Sequence, residues 1–172
     1  MKRLAAWCAL MLALGVAGGL SWFWLAEPGE WVVNPQGLVR SEDELRGQFA
    51  GLVTFVLVGV VLCFVWGWVA GHVLRDIGWL RVPVFALVPG IAALIAWRVG
   101  VALGPSDPRE LVDDPRFAAG LSLGDRLPAQ LEIDAVAPFL VWPMFALAGL
   151  LLAAWLERSE DDPTAEPMTQ RV

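Results

Sequence analysis

Four long apolar stretches, each bounded by charged residues, dominate the chain: residues 4–26, 49–70, 82–103 and 135–156. A hydrocarbon layer about 30 Å thick is crossed by about 20 helical residues, and all four stretches meet that length. The segments between them carry a different grammar. Trp31, Val32 and Val33 precede Asn34-Pro35-Gln36-Gly37, and Leu38 and Val39 follow. Two β-prone runs around a sequence suited to a type I turn predict a hairpin. A lone hairpin is marginal in water and needs a third strand or a packed face. Gln130, Leu131, Glu132, Ile133 and Asp134 alternate polar and apolar and are expected to supply that strand.

Ser106-Asp107-Pro108 and Asp114-Pro115 each put a capping residue before a proline, the arrangement that starts short helices or turns. Ser41 and Glu44 have the spacing of a capping box, which starts the second helix well before its apolar run. The pattern therefore predicts an all-α membrane protein: a four-helix transmembrane bundle with a small extracytoplasmic β-sheet cap formed by the two outer loops, 27–48 and 104–134. The acidic, apolar-poor tail 157–172 is expected to be disordered.

Composition strengthens the membrane assignment. The 172 residues are 58% hydrophobic and only 17% charged, with a mean hydropathy of +0.62, outside the usual range for soluble domains. The net charge of -6, with Lys2 the sole lysine, excludes a nucleic-acid partner, which needs clustered cations. The bilayer is the expected partner. The first apolar stretch is too long for a secretory h-region and ends in Trp22-Phe23-Trp24 rather than a small-residue cleavage site, so it is expected to remain as an anchor. Basic residues mark the cytoplasmic side by their density in short flanks. Lys2, Arg3, Arg75, Arg81, Arg158 and Arg171 put both termini in the cytoplasm of a plasma-membrane protein. Tryptophans cluster near span ends as interfacial belts, except Trp142, which lies inside the fourth span and is expected to face the bundle.

Chemistry is sparse. No Asp, Glu, Lys or His lies near the centre of a span, which argues against ion-coupled transport. Arg98, near the outer end of the third span, is expected to snorkel to the interface, pair with an outer acid such as Asp134, or meet a lipid phosphate. These two residues are the candidate ligand or partner contacts. His72 stands at a helix C-terminus, where the dipole favours a cation. A lone histidine makes no metal site, and no serine has an outer histidine to serve as its base. Cys8 and Cys63 sit in apolar runs and read as packing residues. The outer acids read as a solvated face, and neither catalytic, cofactor nor metal residues are expected. Gly15 with Gly19, Gly67 with Gly71, and Gly100 with Gly104 have the four-residue spacing that lets helices approach closely. Pro89-Gly90, Pro138 and Pro143 are expected to interrupt the third and fourth spans.

A Gly-rich first helix ending in Trp, a Val-Val-Asn-Pro-Gln-Gly hairpin, a Phe-rich second helix ending in Gly-Trp, and a Pro-Gly break in the third follow one another in order. This layout resembles a family of small four-span actinobacterial membrane proteins of unknown function. The resemblance implies the same span number and no catalytic residues. The expected role is a non-enzymatic accessory or interaction subunit of a cell-envelope complex. The alternative is a carrier of lipid or hydrophobic solute that uses a groove between the third and fourth spans. A membrane enzyme with clustered outer carboxylates stands third.

Overall fold

The computed structural model describes residues 2–35, 37–40, 42–113, 115–118 and 120–160. Helix α1 covers Lys2–Leu25, α2 Glu42–Val73, α3 Arg81–Leu103 and α6 Ala137–Glu160. These four are long and apolar enough to cross a membrane. Strands β1, Glu30–Asn34, and β2, Gly37–Arg40, join α1 to α2. Short helices α4, Pro108–Asp113, and α5, Pro115–Ala118, and strand β3, Arg126–Pro128, join α3 to α6.

The helices do not pack in chain order. The main pairs are α2 with α6 and α1 with α3, and contacts of α3 with α6 and α1 with α2 close the ring. The consecutive helices α2 and α3 therefore stand nearly diagonal to each other. A 3₁₀ helix, Arg75–Leu80, makes that link, with Gly78 at φ 65°, where a side chain would be strained. Small residues set the main pairs. A Cβ on Gly15 would lie 2.7 Å from the Ala92 carbonyl oxygen, and one on Gly19 2.5 Å from that of Ala96, so α1 and α3 touch through their backbones. Gly67 meets the Ala146 backbone, Gly71 the Ala153 methyl, and Gly149 of α6 the backbone of α2 at Phe64 and Trp68. Between these contacts Trp22, Phe55, Phe85 and Trp142 fill the interior and are fully buried. Trp142 lies against Gly59 and Gly18, inside the bundle as its sequence position predicts.

Several polar side chains within the helices donate to backbone carbonyls. Ser21 and Thr54 hydroxyls donate to the carbonyls of Ala17 and Ala50, four residues back. The Trp66 indole donates to the Trp7 carbonyl at 3.2 Å. Helix α3 runs through Pro89 and α6 through Pro143 without a break. Pro138 lies in the first turn of α6, where its missing N–H removes no intrahelical bond, so it does not interrupt the span. Helix α6 also continues through Glu160. Residues 157–160 are thus helical rather than part of a disordered tail, because Glu157 lies beside His72 of α2, Oε1 to Nδ1 3.3 Å. The rest of that tail lies outside the described residues.

A three-stranded sheet in the order β2-β1-β3 sits at the end of the bundle opposite the termini. The hairpin has the predicted place, with Asn34 opposite Gly37; its turn type, like the Ser41 capping box and the Asp114 cap, involves residues outside the described set. Asp107 does cap: its Oδ1 accepts from the Arg109 N–H at 2.9 Å. The third strand is not the predicted one. It is Arg126–Pro128, with Leu127 opposite Trp31. Pro128 has no N–H to extend the ladder. Residues 130–134 form no strand, and their alternation has another cause: Leu131 and Ile133 are buried in the core of the bundle. On one sheet face Trp31, Val33, Leu38 and Leu127 form a small second core with Ala129. On the other, Arg126 pairs with Glu30 at 3.0 Å, an exposed contact that contributes little.

Candidate functional site at the junction of sheet and bundle

Helix α2 is 32 residues long, about 48 Å at 1.5 Å per residue, and its first turns carry the sheet. Contact there is at backbone level. A Cβ on Gly47 would lie 2.5 Å from the Gly29 nitrogen, so the chain entering β1 crosses α2 where there is no side chain. Gly47→Val is expected to lift the sheet from the bundle while leaving the helices paired; rapid proteolysis within 27–48, without loss of helical circular dichroism, would register it. One turn on, the buried Trp22 indole donates to the Gly51 carbonyl at 2.7 Å and fastens the end of α1 to α2. Gly100 makes room for the ring, so this glycine of α3 receives an aromatic side chain rather than a helix backbone. Gly104 caps α3 and packs on Leu131.

These contacts enclose a cleft of about 90 Å³ between sheet and bundle, with Trp22 and Trp31 as apolar walls and Gln48, Asp107, Arg109 and Glu132 as polar ones. The Arg109 guanidinium lies over the Trp31 ring, 5.2 Å from its centroid. Gln48 Nε2 donates to Asp134 Oδ2 at 3.4 Å. Glu132 and Asp134 are exposed, while Leu131 and Ile133 between them are buried. The Glu132 carboxyl is raised above the ordinary glutamate range, first by its hydrogen bond with Asp134, then by burial and by the charges of Asp134 and Asp107; Arg109 opposes the shift.

A carboxyl whose folded value is raised stabilises the fold below its unfolded value, and that contribution is lost as pH rises through the raised value. The bond between these acids therefore holds best at acidic pH. In a carboxyl NMR titration the Glu132 midpoint is expected above that of an ordinary glutamate, lower in Asp134→Asn and higher in Arg109→Ala.

Arg98 is elsewhere. It is exposed on α3, its guanidinium 4.9 Å from the centroid of its neighbour Trp97, and the pairing with Asp134 is not made because Gln48 and Glu132 take that carboxylate. The cleft does gather carboxylates with one arginine, but its volume suits a few waters or a single small polar group. Among the described residues no histidine, cysteine and carboxylate cluster could hold a metal ion. Arg109 and Gln48, the residues that organise the cleft, carry no signal in the sequence, since each is an isolated polar residue in a loop or helix start. No protein-family model, curated protein or solved structure matches this chain.

Proposed function

We propose that this chain is a non-enzymatic, multi-pass plasma-membrane protein, an accessory subunit that docks another membrane or envelope protein through its sheet-bearing end. That end faces outward, and both termini lie in the cytoplasm with Lys2, Arg3, Arg75, Arg81 and Arg158. The observation that carries the reading is the junction itself. A sheet held to the bundle at Gly47 and by the buried Leu131 and Ile133 beside it is a pre-ordered surface, and a pre-ordered surface loses little entropy on binding. The bundle beneath it is filled by large aromatic rings, which supports a scaffold over a conduit. Leu123 and Val39 are exposed on this end of the molecule, which also carries Arg109 and the acids of the cleft, an apolar-and-charged mixture suited to a protein partner.

The test is affinity purification of the full chain from native membranes in polymer-bounded discs. A stoichiometric protein partner is expected, and it is expected to be lost with Arg109→Glu and Leu123→Asp together. A chain that carries only lipid would overturn the proposal.

A further inference from the structure

At the opposite end of the bundle, α3 and α6 leave a groove of about 520 Å³ between them. Its walls are Val82 of α3 and Leu147, Leu150, Leu151 and Ala154 of α6, and its mouth is formed by Gly78, Trp79 and Arg81. Gly78 has no side chain to close the rim, and Trp79 is 79% exposed there. Arg81 is positioned by the chain turn: its Nε donates to the Gly78 carbonyl at 3.2 Å and its Nη1 to the Gly71 carbonyl at 3.4 Å. The second of these satisfies a carbonyl near the end of α2, and Nη2 is left without a protein acceptor among the described residues. Arg158 is four residues beyond Ala154, one turn further on the same face of α6, and is exposed. The acid nearest in sequence, Glu157, is turned to His72.

We propose that this groove holds one acyl chain of an anionic glycerophospholipid, with its phosphate between Arg81 and Arg158. The inference rests on the membrane reading above but not on any docking partner. An apolar trough that opens sideways between two spanning helices is filled by hydrocarbon, and Arg81 at its mouth, with Arg158 one turn beyond the groove wall on α6, selects the charge of what fills it. Trp79 marks the same depth, since indoles favour the headgroup level. The start of α3 at Arg81 adds the positive end of a helix dipole to the mouth. The groove lies at the end of α3 opposite Arg98, so a headgroup there meets Arg81 rather than Arg98.

The test is native mass spectrometry of the full-length protein, titrated in parallel with phosphatidylglycerol and phosphatidylcholine of identical acyl chains. Phosphatidylglycerol is expected to be retained more strongly, by about fivefold for each arginine that meets the phosphate. Arg158→Gln is expected to remove about fivefold of the preference, and Ala154→Phe, which fills the groove, to weaken both lipids. Arg98→Gln is expected to change nothing. Neither Arg158 nor Ala154 bonds the α2–α3 link, so these variants read the site without loosening the turn that Arg81 secures. Equal retention of the two lipids, or a preference that survives both Arg158→Gln and Ala154→Phe, would overturn the site. Release of the chain from membranes by alkaline carbonate would instead overturn the membrane reading.

Discussion

Gly67→Leu is expected to destroy the folded bundle, whereas Gly90→Leu, an identical change in the neighbouring apolar stretch, is expected to leave it intact. The two glycines are alike in sequence and opposite in surroundings. Gly67 lies against the backbone of Ala146, so any side chain must push α6 away bodily, while a Cβ on Gly90 meets nothing within 4 Å. Between membrane helices there is no hydrophobic drive to restore the contact, because lipid is as apolar as the partner helix; close packing supplies the attraction. Overpacking against backbone belongs at the upper end of its range, about 3 kcal/mol or more. It acts at the most extensive interface of the ring, α2 with α6. Thermal unfolding in detergent, followed by size-exclusion chromatography, checks this: Gly67→Leu is expected as aggregated or polydisperse material and Gly90→Leu as a sharp peak with a nearly unchanged midpoint. Equal behaviour of the two would mean that α2 and α6 are not interlocked as described.

Trp142→Ala is expected to destabilise the bundle by about 3 to 5 kcal/mol, the range for deleting a large buried aromatic side chain. The ring is fully buried, 5.4 Å from Phe55 centroid to centroid, and lies flat enough on Gly59 to exclude any side chain there. Its indole N–H has no acceptor among the described residues, which gives a sharper expectation. Trp142→Phe removes only packing, since no hydrogen bond is lost. Trp22→Phe, by contrast, leaves the Gly51 carbonyl without its donor and is expected to be destabilised by about 1 kcal/mol more than its change in packing alone. Chemical unfolding of the three variants separates these contributions, and a Trp142→Phe variant as damaged as Trp142→Ala would show that the indole N–H has a partner.

How far the sequence predicted this structure differs by element. The four long apolar helices were legible to within a few residues, because an apolar run about 20 residues long is long enough for a helix that crosses a bilayer. Their order around the ring was not, since helices apolar all round carry no stripe that names a neighbour. Glycine spacing located Gly15, Gly19, Gly67 and Gly71 at helix contacts. It missed Gly59 and Gly149, whose companions at four-residue spacing are Cys63 and Ala153 rather than glycine, and it does not show that Gly100 meets α1 through the Trp22 ring rather than through backbone. The hairpin was legible from turn chemistry. The third strand was not: Arg126-Leu127-Pro128 shows one apolar residue, while 130–134 alternates because the bundle, rather than the sheet, buries Leu131 and Ile133. Alternation records two-sided surroundings and does not name the surface that supplies them. For the cleft, the acids were visible as individuals, but their meeting depends on the path of 104–134 across the sheet, which no local pattern encodes.

The central claim is that the sheet-bearing end lies outside a membrane crossed four times, with the termini and the α2–α3 link inside. Single-cysteine labelling tests it most directly. With Cys8 and Cys63 changed to alanine, Leu123→Cys is expected to react with a membrane-impermeant maleimide on intact cells, and Trp79→Cys only after permeabilisation. Labelling of Trp79→Cys, but not Leu123→Cys, on intact cells would invert the topology, and labelling of both would contradict the four-span account.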